Sequence, residues 1–363
     1  MKKLKLTKVI ASTLVAASVL ALNPIGANAE WRQDAKGWWY TEGNSWAEGF
    51  RVIDGYLYFF DSKGYMDHGK PNDFGDKVGL NDDGQFTNVT INGAWAFCKL
   101  SGEIVAYLGS DSNVVIPDKI DNVAVTSIGN KTFYKHNNIK NIIIPNSVTN
   151  IEDSAFYGCA NLASLNIPAS VQSIGEKALI GCSSLANISV DDNNISYKSV
   201  DGVLYSKNGT NILCYPAAKV DKNYTIPSGV IIIGNSAFSK CTNLTSIEIP
   251  DSVKTIDYRA FEGCTGLTEI KIPDSVTSIV NSAFIGCSNL TSANIPSGLT
   301  SIEPSIFAGC TNLTSMTIPN SVTQIGMSAF GGCKNTNFYV KSEAMKQLLR
   351  RSGVNQNKIV VSA

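Results

Sequence analysis

The chain has 363 residues, 44% of them apolar, and its 30 Lys and Arg balance its 30 Asp and Glu. That composition excludes a disordered protein and sets the size at one large or two smaller folded units. It offers no basic excess for nucleic acid or for an anionic membrane surface.

Residues 1–29 read as a signal peptide: "MKKLKLTK" is a basic leader, Val9 to Leu22 a short apolar run, and Ala27-Asn28-Ala29 a small-residue cleavage site. The apolar run is too short to cross a bilayer comfortably, and no run of about 18 apolar residues follows, so no membrane span is expected. Removing the leader's four lysines leaves 26 basic and 30 acidic side chains, a net charge of −4. The ending "NQNKIVVSA" carries no sorting-type motif, so attachment to a wall is expected to be non-covalent.

Residues 30–70 are dense in rings: eleven aromatics lie between positions 31 and 66, among them Trp31, Trp38, Trp39 and Trp46. Turns at Glu42-Gly43-Asn44 and Ser62-Lys63-Gly64 divide this stretch into short hairpin strands. It resembles the cell-wall-binding (choline-binding-type) repeats of exported Gram-positive proteins over about two units. Trp39 stands at a cage tryptophan position, Phe50 replaces the tryptophan of the Gly-Trp pair, and Leu57 replaces the second cage tryptophan. The resemblance implies that Trp38, Trp39, Tyr40, Trp46, Phe50, Tyr58 and Phe59 contact a cell-wall polymer, teichoic acid choline or glycan, with cation–π attraction holding a quaternary ammonium. The alternative is a hydrophobic hairpin stub that only caps or spaces the rest of the chain. Residues 71–97 read as linker and hairpin, and "NDDG" at 81–84 lacks the Glu that a calcium loop requires.

From residue 98 to 340 one sentence is written repeatedly. Ile-Pro recurs at Pro145, Pro168, Pro227, Pro250, Pro273, Pro296 and Pro319, in steps of 23 residues from Pro227 onward. The step from Pro168 to Pro227 is 59 and holds one regular coil and one lengthened by 13 residues, placing an insertion at about 191–213. A fixed period of this length with Leu-x-x-Ile-x-Ile in each unit predicts a solenoid. In residues 251–273 the apolar frame is Val253, Ile256, Ala260, Phe261, Cys264, Leu267, Ile270 and Ile272. Ile270-Lys271-Ile272 alternates as a strand that Pro273 stops, and Ala260, Phe261 and Cys264 are spaced for a helical turn. One coil alone cannot bury enough to offset its ordering, so each is stable only between neighbours. The frame "IPxSVTxIxxxAFxGCxxLT" resembles the BspA-like class of bacterial surface leucine-rich repeats, with residues 341–363 as a C-terminal cap. The resemblance implies an α/β solenoid: a leucine-rich-repeat stack with a parallel β-sheet on one face, here preceded by the small β-hairpin repeat module. It also implies an exported or surface-attached, non-catalytic binding protein of adhesin type.

Two outward columns should line the sheet. One runs Ile143, Asn166, Ser189, Glu248, Lys271, Asn294, Thr317 and the other Asn141, Ser164, Asn187, Ser246, Glu269, Ser292, Ser315. Rows of small polar groups at about 4.8 Å spacing suit a broad protein or matrix ligand, and equally they suit simple solvation. Asn166, Ser189, Ser246, Glu248, Glu269, Lys271, Asn294 and Thr317 are the candidate partner-binding residues. Glu248 and Glu269 have a separation that a glycosidase could use, but an open sheet provides no pocket, and Lys271 is the expected ion-pair partner of Glu248. A secreted polysaccharide- or protein-degrading enzyme is therefore one rival and a passive coat protein another. The only histidines are His68 and His136, in unrelated segments, and no catalytic residue, cofactor or metal site is expected. Cys159, Cys182, Cys241, Cys264, Cys287, Cys310 and Cys333 share one phase, which a tetrahedral zinc site cannot use, and are read as buried free thiols; His136 takes that place in the first coil.

Overall fold

The computed structural model describes residues 29–68 and 78–362. The signal peptide, except for Ala29, and residues 71–77 of the expected 71–97 linker and hairpin lie outside the described residues. No helix among them is long and apolar enough to cross a membrane.

The chain winds as a parallel solenoid. Eleven short strands, from Asn113–Val115 to Ile359–Val361, place one strand of each coil on a common face. Their register follows the period: Ser164 pairs with Asn187, Asn223 with Ser246, Glu269 with Ser292 and Ser292 with Ser315. Ile270 and Ile272 point inward and are buried, while Lys271 between them is exposed. A second ladder was not expected. Two-residue strands such as Thr255–Ile256 and Ser278–Ile279 pair in parallel on another side of each coil. There the isoleucine is buried and the Thr or Ser faces outward.

The third side is the "AFxG" corner, and it departs from the expected helical turn. Arg259 adopts a left-handed φ of 52°, and its counterparts Ser236, Ser282, Ser305 and Ser328 do the same. The corner is instead a chain of separate turns, Ala260 N–H donating to Asp257 O, Glu262 N–H to Arg259 O and Cys264 N–H to Phe261 O, and the Phe261 N–H between them donates to the Ala283 carbonyl of the next coil at 2.8 Å. Phe238, Phe284 and Phe307 repeat the bond onto Ala260, Ile306 and Ala329. Among the described residues the one α-helix, Glu343–Arg351, lies after the last regular coil, with Ser342 as N-cap and with Met345 and Leu349 buried.

Two internal columns fill the coils. The rings of Phe238, Phe261, Phe284, Phe307 and Phe330 stack at 5.0, 5.2, 5.1 and 6.2 Å. Beside them the free thiols each lie on a carbonyl of the preceding coil, with Cys264 Sγ 2.9 Å from Phe238 O and Cys287 Sγ 3.1 Å from Phe261 O. Burial pushes the Cys159 thiol up to about 12, and Cys264 also lies well above the ordinary range. These sulfurs therefore act as small apolar groups with a weak donor.

The core is not continuous. One cluster runs from Phe97 to Leu204 and a second from Val203 to Ile359. They meet at the insertion, where Tyr197–Val200, Val203–Ser206 and Asn211–Cys214 form an antiparallel meander, and Asn211–Cys214 then starts the second ladder anew. At the other end the hairpins of Thr90–Asn92, Trp95–Cys98 and Glu103–Tyr107 cover the edge of the first block, Glu103–Tyr107 pairing in parallel with Ser127–Ile128. An edge protected in this way does not invite further strands.

Candidate functional site

The aromatic module is built from the strands Trp31–Gln33, Trp38–Glu42 and Ser45–Trp46 and from the hairpin Gly49–Ile53 with Tyr56–Phe60. Alternation along the last hairpin sends its rings to two sides. On one side Tyr58 and Phe60 join Tyr40, Ile53 and Met66 beneath Trp31, whose ring lies 5.2 Å from Tyr40 and 5.0 Å from Tyr58. On the other side Phe50 and Phe59 enter a shared core with Ala96, Cys98, Val105 and Leu108 of the solenoid's covering hairpins. Phe59 also meets Tyr134 edge to face at 5.4 Å, Lys135 ion-pairs with Glu48, and Lys131 lies 3.9 Å from Asp67.

This placement corrects the expected contact set. Tyr40, Phe50, Tyr58 and Phe59 are all less than a tenth exposed, as is Leu57. Phe50, Leu57 and Phe59 are buried because the module docks on the solenoid's covering hairpins through them, and Tyr40 and Tyr58 because they fill the module's own core. Trp38 and Trp39 are half-buried, and Trp46 is 52% exposed. The Trp46 ring lies against the Gly64 turn, where a Cβ would stand 2.2 Å from Trp46 Cδ1. Over Trp39 the guanidinium of Arg32 sits 5.7 Å from the ring centre, so a cation of the chain itself already uses that face.

On the solenoid, Asn166, Ser189, Glu248, Glu269, Lys271, Asn294 and Thr317 are exposed and Ser246 is half-buried. Neighbouring coils bring them together in rows. Ser189 Oγ donates to Asn166 Oδ1 at 2.9 Å. Glu248 Oε2 accepts from Thr225 Oγ1 at 3.1 Å, and among the described residues no ion pair joins it to Lys271, contrary to expectation. Two side chains extended from neighbouring strands gain little from pairing at an exposed site, so the nearer hydroxyl prevails. Asn294 turns back onto its own sheet: its amide accepts from Ile272 N and donates to Ile272 O, both at 2.7 Å. It thereby completes the ladder rather than offering itself to a partner. Among the described residues Ser246, Glu269, Lys271 and Thr317 are the members without such a tie.

Thr225 and Tyr339 belong to the same row and were not anticipated: Thr225 lies one period before Glu248, just ahead of Ile226-Pro227, and Tyr339 lies in a coil where Val340-Lys341 replaces the Ile-Pro mark. The row is apolar at both ends, with Val115 and Ile143 at 63% and 61% exposed and Tyr339 at 38%. His136, in the first coil, is half-buried; burial pushes it down to about 4, so it is neutral at physiological pH. Among the described residues no group of three or more His, Cys, Asp or Glu is placed to hold a metal ion.

The description BspA type leucine rich repeat region matches six copies over residues 108–206 and 217–337, well over half of the chain. A leucine rich cell surface protein of Faecalibacterium prausnitzii is 33% identical over 63% of this chain and 53% of its own, with a TM-score of 0.46, so this chain spans about half of that relative. A leucine-rich repeat protein from Eubacterium ventriosum is 23% identical over 70% of this chain and 82% of its own, with a TM-score of 0.52, and shares the fold. The pneumococcal vaccine antigen PcpA is 21% identical over 79% of this chain and 98% of its own, with a TM-score of 0.48. No curated protein matches the chain. The repeat match and the coil geometry together place the chain in the BspA-type leucine-rich-repeat family.

Proposed function

We propose that this is an exported, non-enzymatic surface protein of adhesin type that binds a protein or matrix partner along the outward row of its first sheet. The observation that carries the reading is the exposed column of Glu248, Lys271 one coil on and Thr317 two coils further, with Glu269 exposed beside Lys271, on a face flanked by exposed apolar residues. Such a surface recognises an extended partner by many modest contacts. Membership in a family with a cell surface protein among its solved relatives is consistent with it. The mature chain, passed over immobilised matrix proteins and glycans, is expected to be retained, and Glu269→Ala with Lys271→Ala to weaken retention about tenfold. Retention on none of them leaves a passive coat protein; hydrolysis of a glycan lost on Glu248→Gln would make it an enzyme.

The aromatic module is proposed to hold the protein on wall polymer through Trp38, Trp39 and Trp46, the three expected ring residues that keep accessible surface. Two units give few sites, so the attachment is of low avidity. Deleting residues 30–70 would bare Ala96 and Val105, so the sharper test is substitution. Purified cell walls should retain the wild-type chain and release the triple variant of Trp38→Ala, Trp39→Ala and Trp46→Ala. Equal retention of the two removes the tether and leaves the module as a docked cap.

A further inference from the structure

A cavity of about 430 Å³ lies where the two core clusters meet, bordered by Leu179, Cys182, Leu213, Cys214, Tyr215 and Ile232. Its cause is legible in the chain. In a regular coil the path from the second-ladder isoleucine to the stacked ring takes five residues, Ile256 to Phe261, whereas Ile212 reaches Tyr215 in three. The preceding coil carries Leu179 where the coils before it carry Phe133 and Phe156. A shortened corner faces a missing ring. The ring column therefore stops at Phe156, which stacks on Phe133 at 5.4 Å, and resumes at Tyr215, which stacks on Phe238 at 5.2 Å.

The backbone shows the same gap. Phe156 N–H donates to Ala178 O and Tyr215 N–H to Ala237 O, but among the described residues no backbone bond joins the corner of Leu179 to that of Tyr215. Leu179, Leu213 and Cys214 are half-exposed, whereas Phe156 and Phe238 are fully buried. Across the opening Asn235 Nδ2 donates to Glu176 Oε2 at 3.0 Å, tying the two blocks together, and Lys240 and Asp257 complete a polar rim.

We infer that this cavity is a binding site for a small molecule made of a planar ring with a neutral or cationic hydrogen-bond-donating group. Its volume lies in the range of small-molecule sites and exceeds that of a single water or methyl defect. Its lining includes the apolar side chains of Leu179, Leu204, Leu213 and Ile232 and the aromatic Tyr215, which can offer a flat molecule the kind of contact that the column phenylalanines give each other. Its rim holds two carboxylates against one ammonium, so donors and positive charge are favoured over a further carboxylate. The site shares no residue with the outward row or with the aromatic module, and stands or falls independently of both.

The test is titration of the mature full-length chain with indole, tryptamine and indole-3-acetate, read by calorimetry and by thermal shift. Indole and tryptamine are expected to saturate one site and raise Tm, with indole-3-acetate weaker by roughly fivefold, the scale of one exposed charge contact. Leu179→Phe fills the slot and should weaken binding more than about tenfold without lowering Tm, while Leu179→Ile keeps it. Ala217→Leu narrows the cavity from the opposite wall and gives the same reading should Leu179→Phe not fold. Absence of saturable binding, equal binding of indole-3-acetate, or unchanged affinity in the filled variants would overturn the inference.

Discussion

The block from Phe238 to Phe330 and the junction around Leu179 and Tyr215 are written in the same alphabet and behave differently. In the block every coil contributes one ring and one thiol, the corner N–H groups of Phe238, Phe261, Phe284 and Phe307 each bond the next coil, and each coil completes its neighbour. At the junction a leucine stands in the ring column and Ala218 in the thiol column, the corner is two residues short, and the corner bond and the core fail together. The lesson is that these columns are coupled. A ring sets the depth of the corner, the depth brings the N–H to the next carbonyl, and the thiol fills what remains, so losing one member loosens all three.

The largest expected effect separates the two regions directly. Phe261 is fully buried between two stacked rings, so Phe261→Ala should cost about 3–5 kcal/mol by urea unfolding, and the transition should broaden because the break falls inside a cooperative array. Leu179 already borders space, and Leu179→Ala should cost less than about 2 kcal/mol, below the usual range for a well-packed leucine. Equal losses at the two positions would erase the distinction between block and junction.

Next in size is a dependence on pH confined to the first block. Glu103 is 8% exposed; its burial, with Glu152 nearby, pushes the carboxyl up to about 7 from 4.5. The folded state then holds a proton that the unfolded state releases, so this group's contribution falls as pH rises from about 4.5 to about 7. Burial lowers His136 to about 4 from 6.5, so the unfolded state holds the extra proton and stability rises from about pH 4 to about 6.5. Each slope amounts to roughly 3 kcal/mol over its window, and they oppose. The wild-type profile should be nearly flat from pH 4.5 to 6.5; Glu103→Gln should leave the rising limb and His136→Gln the falling one. Unfolding midpoints measured across that range check the signs.

The parts of this structure that repeat were legible and the parts that pair two distant segments were not. Phe261, Cys264, Leu267 and Ile270 recur at one phase, and periodicity placed them inside without knowledge of their neighbours. Thr255–Ile256 is only two residues long, too short for alternation to mark it as a strand, although Val-x-x-Ile recurs at the same period. The left-handed turn at Arg259 has no glycine to announce it. Phe50 and Phe59 resembled ligand-facing rings because their true partners, Ala96 and Val105, lie some 40 residues onward in a different motif. The junction left a trace in the step of 59 residues and in Leu179, but a sequence gap cannot say whether inserted chain fills the space it opens.

The smallest effects concern the outward row, where appearance and role diverge. Lys271 and Asn294 occupy the same column one coil apart and both are exposed. Lys271 has no side-chain bond or ion pair among the described residues, so Lys271→Ala should change stability by no more than about 0.5 kcal/mol. Asn294 supplies two bonds of 2.7 Å to the backbone of Ile272, and Asn294→Ala leaves both backbone groups to water, at a cost of about 1–2 kcal/mol. Partner binding should reverse the order: retention on the bound matrix component drops with Lys271→Ala at unchanged stability and survives Asn294→Ala well below its unfolding midpoint. A loss of retention that tracked stability instead would mean that the row's regular shape, rather than its projecting side chains, is what a partner reads.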